Sequence, residues 1–246
     1  MTGTSLKFLM AFLMVLDHIG YFIPLEWQAF FHFISRPVAA VFAFLSVEAF
    51  IHTKKREKYI KRLYLAGIIM FLGNMIINNL IIKKPEFFVY NSIFLSLALG
   101  VTALYFLEEV FYKDNSFLGI LLIFGTILLG MFTEGGYMIV ILMLIIYVNR
   151  NNPLKRNLIC LIITAIFVVL MIFSFLDANI IAKGNTREIL ITIGNFSDLL
   201  FFAAGIPFFH LYNGKRGKNT KFTKYFFYVF YPLHLWIIGI IASKIV

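Results

Sequence analysis

The chain predicts an all-α fold, a polytopic transmembrane helical bundle of about nine spans with its N-terminus cytoplasmic, and three observations carry that expectation. The 246 residues are 61% hydrophobic and only 14% charged, with a mean hydropathy of +0.89. A soluble domain cannot hide that much apolar surface. The apolar residues come in runs of roughly 20, the length that crosses a hydrocarbon core of about 30 Å at 1.5 Å per residue. The basic residues collect in alternate connecting segments.

In order, the spans fall near residues 5–23, 28–51, 63–82, 91–111, 117–132, 135–149, 157–176, 189–211 and 225–243. Spans five and six are short and separated only by Glu134-Gly135-Gly136, which reads as a tight hairpin. The longest connections lie near 177–188 and 212–224, so residues 1–246 are expected to form one integral membrane domain with no separate soluble catalytic part. No cleavable signal peptide is expected, because the first apolar run is too long and no small-residue cleavage site follows it. The single Cys160 excludes a disulfide framework. No alternating ten-residue pattern of a β-barrel occurs.

With the N-terminus inside, 16 Lys and Arg fall in inner segments, Lys113 among them, and five in outer segments, Lys183 among them; Arg36 lies within span two. The positive-inside rule then sets the N-terminus inside and the C-terminus outside. The same distribution explains the net charge of +10. Charge confined to short loops suits anionic lipids or a phosphate-bearing ligand, and no nucleic-acid partner is expected.

Asp17 and His18 stand together in the otherwise apolar run SLKFLMAFLMVLDHIGYFI. An ionisable side chain in hydrocarbon costs on the order of 3 kcal/mol or more, so the pair implies a polar interior. His18 lies 11 residues beyond Lys7, or roughly 16 Å, about mid-membrane. Histidine can act as a general base near neutral pH. Asp17 points about 100° away from it on a helix, so it is expected to pair with another helix, Arg36 being the first candidate. Arg36 sits at comparable depth and needs an anion, from the protein or from a substrate. His32 precedes it by four positions, near the outer interface where solvated histidines are common. Glu48 and His52 share a face at the inner end of span two, just before HTKKREKYIKRL, whose cations suit lipid headgroups or cofactor phosphates. His234 lies in YFFYVFYPLHLW, two residues after Pro232, which lacks a backbone donor. Asn91 opens span four, Glu134 lies at the hairpin, and the pair joins Glu48 and His52 as candidate substrate-binding residues. His210 reads as an ordinary helix-end histidine. There is no metal-ligand spacing, no Walker or Rossmann glycine pattern and no GxSxG elbow. Buried Asp, His and Arg also mark transport paths, so a small-solute or proton-coupled transporter is the alternative class.

Taken together, several segments resemble the TraX family of bacterial membrane proteins, whose namesake acetylates the N-terminus of a conjugative pilin. They are LKFLMAFLMVLDHIGYF at Leu6–Phe22, FAFLSVEAFIHTKKREKYIKRL at Phe42–Leu63, NSIFLSLALG at Asn91–Gly100, EGGYMIVILMLIIY at Glu134–Tyr147, LYNGKRG at Leu211–Gly217 and KYFFYVFYPLHL at Lys224–Leu235. Ala40, Ala49 and Glu134 stand where the family usually has proline, glycine and aspartate. Lys7 and His18 also resemble the basic-residue, ten-residue gap, histidine pattern of type-3 membrane acyltransferases. The resemblance implies a multi-pass enzyme of the bacterial cytoplasmic membrane that uses acetyl-CoA as acyl donor, without a metal, and a peptide or glycan as acceptor. It implies His18 as base, supported by Asp17, with His234 or Arg36 near the developing oxyanion. The cofactor phosphates would lie against Lys54, Lys55, Arg56, Arg62, Lys215 or Arg216.

Overall fold

The computed structural model describes residues 1–112, 116–177 and 186–245, so Lys113, Lys183 and the middle of the 177–188 connection lie outside the described residues. Among the described residues there are twelve α-helices, three short 3₁₀ turns and no strand. The helices are α1 (Gly3–His18), α2 (Leu25–Ser35), α3 (Pro37–His52), α4 (Arg56–Leu80), α5 (Ile93–Tyr112) and α6 (Ser116–Gly130). They continue with α7 (Gly136–Val148), α8 (Pro153–Asp177), α9 (Thr186–Phe196), α10 (Phe201–Ala204), α11 (Ile206–Leu211) and α12 (Lys221–Ile245).

Six helical stretches among the described residues are long and apolar enough to cross a membrane: Gly3–Phe22, Leu25–His52, Arg56–Leu80, Ile93–Val110, Pro153–Leu170 and Lys221–Ile245. Every run expected to be a span is helical, yet three fall short of a straight crossing. Helices α6 and α7 hold 15 and 13 residues, roughly 20–22 Å at 1.5 Å per residue against a core of about 30 Å. The run at 189–211 is bent by 48° between Arg187–Gly194 and Ser197–Leu211. A 3₁₀ turn at Ser197–Leu200, Gly205 and Pro207 break it into pieces. Counted as one span, the bent pair brings the total to seven.

The faces that these helices leave outside are apolar. Leu65, Ile68, Ile69, Phe71, Leu72 and Ile76 are exposed along α4, and Leu158, Leu161, Ile162, Ile166 and Leu170 along α8. Such stripes are far larger than the apolar patches water tolerates and suit contact with lipid.

The chain divides into two compact units, Met1–Val41 with Asn157–Val246, and Phe42–Arg156. In the second unit α5 packs against α4, α6 and α7, and α6 against α7. Its core holds Phe50, Met70, Leu104, Ile139, Leu142, Met143 and Ile146, all fully buried. The α6–α7 turn uses two residues in the left-handed region, Gly135 at φ 76° and Gly136 at φ 57°, which only glycine adopts without strain. At this end Asn78 takes both backbone groups of Val89, donating to its carbonyl at 2.9 Å and accepting from its N–H at 3.0 Å. The side chain thus stands in for a neighbouring strand and satisfies a buried turn.

In the first unit α1 packs against α2 and α12, and α2 against α9. The α2–α9 contact is close because its residues are small: a Cβ built on Gly194 would lie 2.5 Å from the Cβ and 2.8 Å from the Cα of Ala29. Small residues at such crossings let helix backbones approach, as membrane helix pairs require. Gly194→Val is therefore expected to force α9 off α2 and cost about 1–3 kcal/mol. Gly125→Ala, in α6 with nothing within 4 Å, is expected to be neutral or stabilising by up to about 1 kcal/mol. Thermal unfolding of the two purified variants checks the contrast, and equal melting shifts would remove the close-contact argument.

Candidate functional site

Two histidines from opposite ends of the chain meet in the first unit. His18 closes α1 and His234 lies near the middle of α12; their rings are 5.3 Å apart between centroids and nearly perpendicular at 83°. The two helices run side by side in the same direction, and their N-terminal ends are tied together. Gly3 and Thr4 donate their N–H groups to the carbonyls of Lys215 and Arg216 at 2.9 and 3.0 Å. The Lys218 carbonyl accepts from the Thr4 hydroxyl at 3.1 Å and from the Thr223 hydroxyl at 2.9 Å. The NGKRG loop thereby supplies acceptors to the unsatisfied first turn of α1 and holds α12 beside it. Gly217, at φ 85°, makes the turn possible, since a Cβ there would lie 2.5 Å from the Thr2 hydroxyl.

Each ring has the same tautomer. His18 Nδ1–H donates to the Met14 carbonyl at 2.7 Å and His234 Nδ1–H to the Phe230 carbonyl at 3.0 Å. A carbonyl only accepts, so each neutral ring presents Nε2 as a lone pair. His234 is buried, and its Nε2 is buried without a hydrogen-bond partner. A ring in this state is a proton acceptor. The expected role of His234 as an oxyanion donor does not suit it, because its one N–H is committed to the backbone.

Asp17, the residue before His18 in α1, points about 100° away from it around the helix. Its carboxylate receives Nδ1–H of His32 at 2.9 Å and Nη2 of Arg36 at 3.1 Å. Arg36 sits at the single-residue break between α2 and α3, where Pro37 starts the next helix. Its side chain is only 14% exposed, and each of its nitrogens is engaged. Nε donates to the His32 carbonyl at 2.7 Å, Nη2 to Asp17 and Nη1 to Asp198. Arg36 therefore fixes two carboxylates, with each of its three nitrogens holding at least one partner. His32, expected to be solvated, belongs to this cluster, with Nε2 3.8 Å from Asp198. Asp198 was not among the expected residues, although an acidic side chain inside the apolar run 189–211 is the same signal that marks Asp17.

The remaining expected residues are spread over both units. Lys215 and Arg216 lie in the loop at the base of α1 and α12. In the second unit Lys54 and Lys55 are exposed at the turn before α4, and Arg62 lies over the Tyr59 ring at 5.6 Å. Arg56 is held internally: it pairs with Glu108, which also accepts from the Tyr147 hydroxyl, and stacks on Phe50 at 4.6 Å. Glu48 and His52 approach to 3.8 Å. Asn91 donates to Glu134 at 2.9 Å and Ser96 to Thr133 at 3.0 Å, so the Asn91–Glu134 pair closes the turn between α6 and α7 onto the start of α5. His210 approaches Asn157 at 2.7 Å.

Removing Arg36 leaves a carboxylate in the span without its counter-ion, whereas Asp198 is 58% exposed. Arg36→Gln is expected to cost about 3–5 kcal/mol and Asp198→Asn about 1 kcal/mol or less. Chemical unfolding of both variants in one detergent checks the ranking, and the reverse order would show that Asp17 does not depend on Arg36.

A family model described as TraX protein matches residues 2–242, nearly the whole chain. No curated protein and no solved structure matches it. With helices long and apolar enough to span a membrane, and with both histidine-bearing segments inside the matched region, the chain belongs to the TraX family.

Proposed function

We propose that the protein is a multi-pass acyltransferase of the bacterial cytoplasmic membrane, moving an acetyl group from acetyl-CoA to an amine or hydroxyl of a peptide or envelope glycan. The His18–His234 pair carries this reading: two imidazoles at 5.3 Å, each with Nδ1 spent on its own helix, which leaves Nε2 as the nitrogen for proton transfer. His18, half-buried where His234 is enclosed, is the base. As the acceptor nitrogen or oxygen attacks the thioester carbonyl carbon, its proton passes to His18 Nε2. The C–S bond then breaks, and the departing thiolate takes the proton back, so no net charge is left inside the span. Asp17, clamped by Arg36 and His32, is a positioning residue: it anchors the end of α1 on which His18 sits.

The donor's phosphates suit the cationic loops. Lys215 and Arg216 stand in the same unit as the histidines, and Lys54, Lys55 and Arg62 offer further exposed charge in the other; Arg56 is already satisfied by Glu108. The 16-to-5 distribution of Lys and Arg supports the N-terminus inside, with nine membrane segments of which two are short and one is bent. That orientation faces the cationic loops to the compartment where acetyl-CoA is made.

Two outcomes test the reading. A Lys58→Cys variant in intact cells is expected to resist an impermeant thiol reagent, and rapid labelling from outside would reverse the topology. With radiolabelled acetyl-CoA and membrane vesicles of the expressing strain as acceptor, His18→Ala is expected to lower transfer by about 10²–10⁴-fold and to leave CoA affinity unchanged in calorimetry. Wild-type transfer in His18→Ala with loss in His234→Ala would move the base to His234. No labelled product from the wild-type protein would favour solute transport instead.

A further inference from the structure

We infer that His32, held by Asp17, is a second base of the site, which takes the first proton from a cationic acceptor docked on Asp198; this rests on the transferase reading above and selects the amine from the two acceptors which that reading allows. The proton balance of an amine acceptor calls for such a group. An amine arrives as an ammonium, since an α-amino group loses its proton near about pH 8 and a lysine near about 10. One ammonium and one acetyl thioester give one amide, one CoA thiol and one free proton. His18 hands a proton on to the thiolate. The other has to leave first, because the nitrogen has no lone pair for attack until it does. A hydroxyl acceptor sheds a single proton and needs no second base.

The geometry of His32 suits that task. Its Nδ1 lies 2.9 Å from Asp17 Oδ1, and in the neutral ring the nitrogen that faces a carboxylate carries the proton, as in a carboxylate–histidine dyad. Arg36 Nη2, 2.8 Å from the same nitrogen, has Asp17 Oδ2 at 3.1 Å as its acceptor. Nε2 of His32 is then a lone pair. It faces Asp198 Oδ2, also an acceptor, at 3.8 Å, beyond the ~3.2 Å of a hydrogen bond. Two acceptors at that spacing suit one donor beside the line between them, about 2.8–2.9 Å from each. An ammonium has N–H groups for both. Side-chain exposure rises from 14% at Arg36 through 21% at Asp17 and 32% at His32 to 58% at Asp198. A ligand arriving from the exposed end therefore meets Asp198 first and His32 next.

The charges balance before and after the proton moves. His32 is faced by Asp17 from α1, by Arg36 at the α2–α3 break and by Asp198 from the turn after α9, while the Glu26–Arg187 pair lies nearer the start of α2. With His32 neutral, two carboxylates against one guanidinium leave one negative charge, which a docked ammonium cancels. Once the proton is on Nε2, the imidazolium takes the place of the ammonium and the amine is uncharged. No charge is left unpaired in the span at either stage, where it would be costly. The neutral amine is no longer held by Asp198, and its route to His18 rounds the end of α1. There Asp17 and His18 are both half-buried, and the Ile19–Phe22 turn holds no buried residue. His32 gives its proton back at the exposed end, beside Asp198.

Two measurements test the assignment. Glycinamide and glycolamide differ only in ammonium against hydroxyl, and saturation-transfer NMR on the protein in phosphatidylcholine nanodiscs reads the binding of each without any transfer. Asp198→Asn is expected to weaken glycinamide at least about fivefold and to leave glycolamide unchanged. The second measurement is the pH profile of transfer from radiolabelled acetyl-CoA to membrane vesicles of the expressing strain. His32→Asn keeps an amide N–H for Asp17 and has no second nitrogen. It is expected to lower transfer by about 10²-fold near pH 6.5 and to come within a few-fold of wild type near about pH 9.5, where an α-amino acceptor is already neutral. His18→Ala is expected to stay depressed at both. A loss in His32→Asn that is equal at the two pH values, or no loss at either, would overturn the second base. Glycinamide binding unchanged in Asp198→Asn would overturn the dock. Either result, with transfer by the wild-type protein intact, leaves the transferase reading standing. Absence of transfer by the wild-type protein would remove that reading and the second base together.

Discussion

A guanidinium inside an apolar span is the constraint on which the first unit depends. Arg36 cannot stay charged in hydrocarbon without anions, and the fold meets the demand by converging three separate segments on it. Asp17 comes from α1, the His32 carbonyl from the preceding turn, and Asp198 from the broken segment after α9. The break between α2 and α3 follows from the same demand. A residue at the turn before Pro37 projects its side chain away from the helix axis, where carboxylates from two directions can reach it. Fixing Asp17 fixes the rotation of α1, and the rotation of α1 decides where the neighbouring His18 points.

The histidine pair then depends on a second device, the loop between α11 and α12. Backbone carbonyls of Lys215, Arg216 and Lys218 close the N-terminal ends of two helices at once. Two parallel helices with a shared start and similar rise carry their histidines to matching heights without any contact between those residues being needed to align them. On α12 the rings of Phe226, Phe230 and His234 stack in succession at i, i+4, with centroids 5.0 Å apart, and so restrict one another's rotamers.

Much of this was legible in the sequence, and the reasons are physical. Ionisable residues in apolar runs announce themselves by their cost, so Asp17, His18, Arg36 and His234 stood out individually. The 100° offset between neighbours separated Asp17 from His18 before any coordinates. Partners are another matter. Asp198 lies 162 residues from Arg36, and no local pattern links them. His32 carried a signal in its i, i+4 spacing from Arg36, yet a histidine near the interface has a solvated alternative of similar energy. Spans five and six were visibly short, but whether such a helix crosses depends on neighbours rather than on its own composition. The internal use of Arg56 by Glu108 was hidden because a cation in a basic run looks the same whether it faces a ligand or its own fold. The division into two units left no trace in composition, since both are equally apolar.

The separation of Arg36 from its two carboxylates also sets an order of events during synthesis. Asp17 precedes Arg36 by 19 residues and Asp198 follows it by 162. At roughly 5–20 residues per second, Arg36 waits about 8–30 s for Asp198, while Asp17 is already made. For that interval the nascent hairpin of α1 and α2 must insert with Asp17 as its only acidic partner within this cluster. Asp17 is thus a requirement of biogenesis as much as of the finished site, and Asp198 acts as a late lock that closes only when nearly the whole chain has been made.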